Sequence, residues 1–161
     1  MLSYHYTALL PSARILDAIG IAGMVLFNRF LQTDVDVEKE TTFYSPNYTS
    51  SRVLHSQLRW TAIVRDWVKA DLAISGGIHS GDDLIKALLV GANVGYIYSA
   101  LQLTPNHERT VQQILSRLES WMRDKQYASL KDFRGKLRET NLSDGKGFER
   151  AQYVKAATSI R

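Results

Sequence analysis

The chain has 161 residues, of which 20 are lysine or arginine and 16 are aspartate or glutamate, and it contains no cysteine. A chain of this length can bury one respectable core, so we expect a single domain or a main domain with a small extension. The lack of cysteine excludes disulfides and thiolate sites, and it fits a cytoplasmic chain.

The charge is unevenly distributed between the two parts of the chain. Residues 1–100 carry 8 basic and 9 acidic side chains, whereas residues 101–161 carry 12 and 7. A basic segment suggests nucleic-acid binding, but here the signs alternate along helical segments, which is typical of a solvated face. We therefore predict no nucleic-acid partner. We also expect no membrane span and no secretory signal, because no run of about 18 apolar residues occurs and no basic segment precedes an apolar one at the start.

Strands and helices alternate along the sequence. Short apolar runs predict strands at residues 2–4, 24–27, 71–75 and 93–98. Helical spacing predicts a helix that begins near Pro11 and closes at Gly20, followed by helices at 58–68, 82–90 and 107–124. The second of these helices would bury Trp60, Ile63, Val64 and Trp67, and the last would bury Val111, Ile114, Leu115, Leu118 and Met122.

Two segments lie outside this alternation. Residues 30–56 are polar and predict a long loop, with or without a short hairpin. After residue 126, the pattern predicts short helices around 130–137 and 148–157, separated by turn-forming residues at 141–147. The chain therefore predicts an α/β fold of four strand–helix units with a helical C-terminal tail.

A glycine-rich turn follows the third strand. Ser75, Gly76 and Gly77 come directly after the apolar run, and Ser80 is placed to cap the next helix, with Asp82 and Asp83 in its first turn. Two consecutive strand–helix turns of this kind, the second at Tyr98–Ser99, can direct backbone N–H groups at one phosphate. The alternative is that the glycines only form a tight turn, which is a common role for them.

The segment from Ser75 to Leu101 resembles the flavin mononucleotide (FMN) phosphate motif of the dihydroorotate dehydrogenases. The segment Val25–Phe30 followed by Asp34–Asp36 resembles the dihydroorotate dehydrogenase-like branch of that family, which is FMN-dependent and of the class 1 type, and Ser129–Gly135 resembles the tail after its last barrel helix. A full (β/α)₈ barrel typically needs about 250 residues. The resemblance therefore implies only the C-terminal half of a TIM barrel, strands five to eight, over residues 1–126, with a helical extension over 127–161.

The resemblance also implies which residues bind ligands. Ser75, Gly76, Gly77, Tyr98 and Ser99 would hold the FMN phosphate, and Asn28 would bind a dihydroorotate-like substrate. The implied activity is oxidation of dihydroorotate to orotate, a step of pyrimidine biosynthesis. Tyr98 departs from the family pattern, which has a small residue there. Its ring either enters the site and blocks the flavin or packs outward.

We predict no catalytic residue in this chain. The family's catalytic base belongs to the absent N-terminal half, and Met1 stands where the family has a lysine before Leu2 and Ser3. We therefore expect the chain alone to be inactive. Its four histidines lack a carboxylate or second histidine at metal-ligand spacing, so no metal site is predicted.

Two other functions stay open. The chain could be a non-catalytic half-barrel that associates with a separate N-terminal half or with itself, because four open strands leave two edges and an apolar inner face. We expect that face to carry the apolar side chains of Met24–Phe27, Leu72–Ile74 and Val94–Ile97. The chain could also belong to another phosphate-binding barrel, such as an isomerase.

Overall fold

The protein is described by a computed structural model, in which residues 1–29, 33–44 and 48–142 are described. The strands are β1 (Leu2–Ser3), β2 (Gly23–Asn28), β3 (Thr33–Asp36), β4 (Thr41–Tyr44), β5 (Asp71–Ser75) and β6 (Val94–Tyr96). The α-helices are α1 (Leu9–Ala18), α2 (Leu54–Arg65), α3 (Gly81–Leu89), α4 (Ser99–Gln102) and α5 (His107–Asp124), with 3₁₀ turns at Ser51–Val53, Leu130–Asp132 and Glu139–Asn141.

Four strands form one parallel sheet in the order β1-β2-β5-β6. Helices α1, α2 and α3 each lie between one strand of this sheet and the next, as the crossover connections of parallel strands require. The predicted alternation of strands and helices and the mixed α/β class are thus confirmed. The last strand is shorter than predicted, since it covers Val94–Tyr96 rather than 93–98.

The long polar segment contains an antiparallel hairpin, in which β3 pairs with β4. After it, α2 begins at Leu54, four residues before the predicted start at Leu58. The reason is that Leu54 is itself a buried core residue, one helical turn before Leu58 on the same face. The residues between them are polar, so the apolar periodicity did not mark this first helical turn.

The two faces of the sheet differ. Leu26 and Ile74 lie side by side with Gly95 in the strand register, and Leu26 and Ile74 are fully buried. A Cβ on Gly95 would lie 2.6 Å from Ile78 and 3.0 Å from Leu84, so this row of side chains faces the helices. The large apolar side chains therefore pack beneath the helices. The expectation that all of them fill an inner face is wrong, because successive side chains alternate between faces.

The opposite face of the sheet is partly open. On this face, Val25, Ala73 and Val94 are neighbours across β2, β5 and β6. Two residues further along the strands, Ser75 of β5 pairs with Tyr96 of β6. Val94 is 48% exposed and Tyr96 is 51% exposed, so the strand at this edge leaves apolar surface uncovered.

Helix α5 has the predicted bounds, but only part of its apolar stripe is covered. Ile114 and Leu118 are buried against α3, whereas Val111 and Leu115 are exposed. Trp67, predicted to be buried, is 49% exposed and has the Arg14 guanidinium 5.1 Å from its ring.

The segment after α5 packs onto the same unit. Phe133 is fully buried with Ile85 and Leu88 of α3, and its ring lies 4.9 Å from that of Trp121 and 5.3 Å from that of Tyr127. The helix predicted at 130–137 is instead a 3₁₀ turn with a Ser129–Asp132 capping box. The helix predicted at 148–157 lies outside the described residues.

Candidate functional site

The predicted ligand-binding residues follow three strands of the parallel sheet. Asn28 ends β2, Ser75–Gly77 follows β5, and Tyr98–Ser99 follows β6. Because the strands are parallel, their carboxyl ends lie at one edge of the sheet, where ligands bind in open α/β sheets and barrels. The structure places the Gly76–Gly77 turn and Ser99 around one polar cluster, and it places Asn28 in a separate cavity beside it.

The turn after β5 is formed by two glycines with positive φ, +93° at Gly76 and +87° at Gly77. A Cβ on Gly77 would lie 2.5 Å from the Leu54 backbone nitrogen, so the start of α2 leaves no space for a side chain. At Gly76 there is room, and the backbone conformation alone favours glycine. Gly77 is therefore explained by packing as well as by any role in ligand binding.

Thr49 lies at the centre of this polar cluster. Its backbone N–H donates to Ser99 Oγ at 2.9 Å, and its hydroxyl lies 3.0 Å from the same oxygen. The Gly77 N–H donates to Thr49 Oγ1 at 3.3 Å, and His79 Nε2 lies 3.4 Å from that hydroxyl. Thr49 thus occupies the point where the Gly77 amide, Ser99 and His79 converge. The sequence analysis missed Thr49, because it lies in a polar segment with no pattern that marks one hydroxyl among several.

The amides at the start of α3 are satisfied within the chain. The N–H groups of His79 and Ser80 donate to Asp83 Oδ2 at 3.2 and 3.0 Å, and the hydroxyls of Ser80 and Ser51 donate to it at 2.8 and 2.9 Å. The Asp83 N–H returns a bond to Ser80 Oγ, which completes the capping box and confirms the predicted cap.

Asp83 carries a negative charge in a buried position. Burial raises the pKa of its carboxyl, but hydrogen bonds from Ser80, Ser51 and the His79 N–H, together with Lys86, outweigh burial and hold the pKa below its ordinary value. The side chain is nearly inaccessible and Lys86 Nζ lies 3.7 Å away. Asp83 therefore stays ionised near neutral pH, where it fixes the position of Ser51 and the turn before α3.

The groups around the Thr49 hydroxyl fit a phosphate on one condition. The Gly77 N–H donates to the Thr49 hydroxyl, and the Ser99 hydroxyl, which accepts from Thr49, lies around the same oxygen together with the His79 ring. A phosphate at that point would meet three groups that are able to donate hydrogen bonds. A phosphate at that point would have to displace the Thr49 hydroxyl. The His79 and Ser80 N–H groups would not take part, since both donate to Asp83.

Tyr98 precedes α4 and makes none of the hydrogen bonds of the Thr49 cluster. Its side chain is 67% exposed. The neighbouring Ser99 is buried and carries the contact to Thr49. The departure from the family pattern thus leaves the serine of this turn in place, with the tyrosine ring largely in solvent.

Asn28 lines a cavity of 290 Å³ between the carboxyl ends of β1 and β2 and the start of α2. Arg29, Arg52, His55 and Gln57 also line it. Gln57 is only 4% exposed, its Nε2 donates to the Ser75 carbonyl at 3.3 Å, and its buried Oε1 has no hydrogen-bond partner. This cavity was not predicted, because Arg52 and His55 lie in the predicted loop at 30–56 and Gln57 lies between that loop and the predicted helix at 58–68.

The described parts of the chain hold no group of three or more His, Cys, Asp or Glu side chains that could bind a metal ion. Among the same residues, no helix is both long enough and apolar enough to cross a membrane.

Of the comparisons with known proteins, the one with solved structures gives a match. No family model matches the sequence, and no curated protein matches it significantly. The fold is similar to that of a DHODH, a dihydroorotate dehydrogenase, from Eimeria tenella in complex with ferulenol, with a TM-score of 0.61 and 15% identity. The match covers 83% of this chain and 36% of that one. The chain thus has a DHODH-like fold and spans about a third of that protein.

Proposed function

We propose that this chain is the C-terminal half of the (β/α)₈ barrel of an FMN-dependent oxidoreductase that resembles class 1-type dihydroorotate dehydrogenases. One observation carries the proposal. The sequence resemblance assigns the phosphate to Gly77 and Ser99, which lie on different strand–helix turns. Both contact the same Thr49 hydroxyl, because the Gly77 N–H donates to it and Ser99 Oγ accepts from it. The shared fold supports a DHODH-like α/β unit with a parallel sheet of four strands. The assignment of these strands to barrel strands five to eight rests on the sequence resemblance.

In this proposal the chain binds and orients but does not catalyse alone. Gly76, Gly77 and Ser99 would hold the FMN phosphate, with Ser75 and Tyr98 beside them, and Asn28 would hydrogen-bond a dihydroorotate-like substrate. FMN, when bound, supplies the hydride acceptor for oxidation of dihydroorotate to orotate. No residue of this chain is assigned as the base, so a second segment must supply it.

Residues 1–126 would form the half-barrel and residues 127–161 its extension. Phe133 belongs to the same buried cluster as Ile85, Leu88 and Leu118, so the extension would be an integral part of the folded unit. We do not assign it a separate binding role.

A second candidate function is association without catalysis. The exposed Val94 and Tyr96 of β6, the last strand of the sheet among the described residues, favour a surface that another chain covers. The partner would be a separate N-terminal half or a second copy of this chain. The two candidates are compatible, because the flavin site of a half-barrel becomes complete only when the other half is present.

The proposal is tested by comparing FMN with riboflavin, which has the same ring system without the phosphate. Flavin fluorescence is titrated with the purified chain and with the variants Ser99→Ala and Ser120→Ala, the latter an exposed serine on α5. We expect weak binding of FMN, weaker or undetectable binding of riboflavin, and loss of affinity in Ser99→Ala alone. Equal binding of the two flavins, or no binding of either, would count against the phosphate site.

A further inference from the structure

The hairpin of β3 and β4 presents two different faces. Paired residues of neighbouring strands point to the same side of a sheet, and successive residues point to opposite sides. The observed pairs are Thr33 with Tyr44, Asp34 with Phe43, Val35 with Thr42 and Asp36 with Thr41. One face therefore carries no charged residue, whereas the other carries both carboxylates of β3, Asp34 and Asp36.

This hairpin lacks the support that such a structure needs in water. Val35 is 60% exposed, Tyr44 is 67% exposed, and Phe43 on the other face is exposed as well. The hairpin forms a separate sheet of two strands, so within the described residues each strand keeps one unpaired edge. A two-stranded hairpin is marginally stable alone, and a third strand or a packed neighbour stabilises it. The exposed apolar side chains and the unpaired edges thus indicate a surface for a further strand.

The charge of the hairpin indicates the chemistry of that strand. Residues 33–44 contain four acidic side chains and one basic side chain, a net charge of −3. The basic residue, Lys39, pairs with Asp36 at 3.2 Å. Within the ranges 1–29, 33–44 and 48–142, no ion pair is formed by Asp34, Glu38 or Glu40. A cluster of negative charges favours a basic partner, and it repels nucleic acids and anionic lipid surfaces.

We propose that β3 accepts, along its unpaired edge, an extended segment of another protein in which basic and apolar side chains alternate. Beside β3, the basic side chains of that segment lie next to Asp34 and Asp36, and its apolar side chains lie next to Val35 on the other face. The edge of β4 fits less well, because that strand carries no charge. A second copy of the chain does not fit, since two hairpins of net charge −3 repel each other. The inference goes beyond the proposed function and does not depend on the flavin site.

Three heptapeptides with blocked termini test the proposal. The first alternates lysine and valine, beginning and ending with lysine, and the second has glutamate in place of every lysine. The third keeps the lysines but has proline in place of the central valine, which hinders pairing as a strand. Each peptide is titrated into the full ¹⁵N-labelled chain, and the amide resonances of Val35 and Asp36 are followed. We expect the first peptide to bind about tenfold more tightly than either of the others, because it alone combines opposite charge with strand pairing.

Three variants locate the binding on β3. Asp34→Asn removes a charge and keeps an oxygen for the Val35 N–H, which donates to Asp34 Oδ1 at 2.8 Å. This variant should weaken binding of the lysine–valine peptide about threefold, as the loss of one cross-strand charge pair implies. Glu38→Gln removes the same charge from the turn between the strands and should leave the affinity unchanged. If Asp34→Asn disrupts the hairpin, Val35→Thr keeps the branched shape, removes an apolar contact and should also weaken binding.

Three results would overturn the inference. The first is equal binding of the peptides with and without proline, which would reduce the contact to attraction between charges. The second is an equal loss of affinity in Asp34→Asn and Glu38→Gln, and the third is the absence of any shift of the Val35 and Asp36 resonances. Shifts of these two resonances with the lysine–valine peptide, and a loss of affinity confined to the variants of β3, would support it.

Discussion

Thr49 Oγ1 lies 3.0 Å from Ser99 Oγ, although the two residues are 50 positions apart in the sequence. The contact joins the segment before α2 to the turn after β6. It also places a hydroxyl of the chain itself at the point where a phosphate would meet the Gly77 amide. Under the proposed function, phosphate affinity at this cluster would be set by a competition between Thr49 and the incoming group.

The first prediction concerns that competition. Thr49→Val keeps the side-chain volume and removes the hydroxyl, which frees the Gly77 N–H for a phosphate. The Ser99 hydroxyl still accepts from the residue 49 N–H and can donate its own proton to the phosphate. A neutral hydrogen bond contributes about 1 kcal/mol net, so we expect FMN affinity to rise about fivefold. Fluorescence titration measures the change, with Thr42→Val in the exposed hairpin as the control. Weaker binding in Thr49→Val would show that Thr49 is a ligand contact instead.

The second prediction concerns Asp83. Because its folded-state pKa lies below the ordinary value of 3.8, ionised Asp83 stabilises the fold above that value, and the stabilisation is lost as pH falls through the lower folded-state pKa. Asp83→Asn removes charge-assisted bonds and should cost about 1–3 kcal/mol at pH 7. The difference from the unmodified chain should shrink at pH 3 and below.

Urea denaturation at pH 7, 5 and 3 measures this effect, with Asp124→Asn at the exposed end of α5 as the control. An Asp83→Asn penalty that is the same at every pH would contradict the prediction.

The third prediction concerns the segment after α5. Phe133→Ala should destabilise the whole chain by about 3–5 kcal/mol, the range for removing a large aromatic side chain from a core. Leu130→Ala, at a partly exposed position in the same turn, should cost much less. Thermal melts followed by circular dichroism make the comparison. A small effect of Phe133→Ala would mean that this segment is not part of the core.

The fourth prediction concerns association. The exposed Val94 and Tyr96 next to the open edge of β6 should make the chain associate as its concentration rises. The double variant Val94→Lys and Tyr96→Lys should shift it to a monomer, whereas Val35→Lys in the hairpin should not. Sedimentation velocity over a range of micromolar concentrations measures this. An unmodified chain that stays monomeric and melts cooperatively would contradict the predicted association.

The sequence predicted the fold wherever the signal was local. The apolar run at Leu72–Ile74 and the capping pair Ser80 and Asp83 mark their strand and helix within a few residues, so the alternation of strands and helices could be read directly. The side of the sheet that each strand residue faces could not be predicted. Whether Leu26 or Val25 packs beneath a helix depends on the register between strands, which no single strand encodes.

The candidate site was predictable only in part, for the same reason. Gly76, Gly77 and Ser99 belong to short motifs, whereas Thr49 lies in a segment without a pattern, 28 residues from Gly77 and 50 from Ser99. Gln57 was missed because a buried glutamine in the first turn of a helix breaks the apolar periodicity that marks a helix face.

The most direct test of the central claim locates the phosphate. The ¹⁵N-labelled chain is titrated with FMN and, separately, with riboflavin, and the amide resonances of Gly77 and Ser99 are compared with those of Gly23 and Gly135. The account predicts that FMN shifts the Gly77 and Ser99 resonances with one dissociation constant, while riboflavin leaves them in place. Unchanged Gly77 and Ser99 resonances at saturating FMN, or equal shifts with riboflavin, would contradict it.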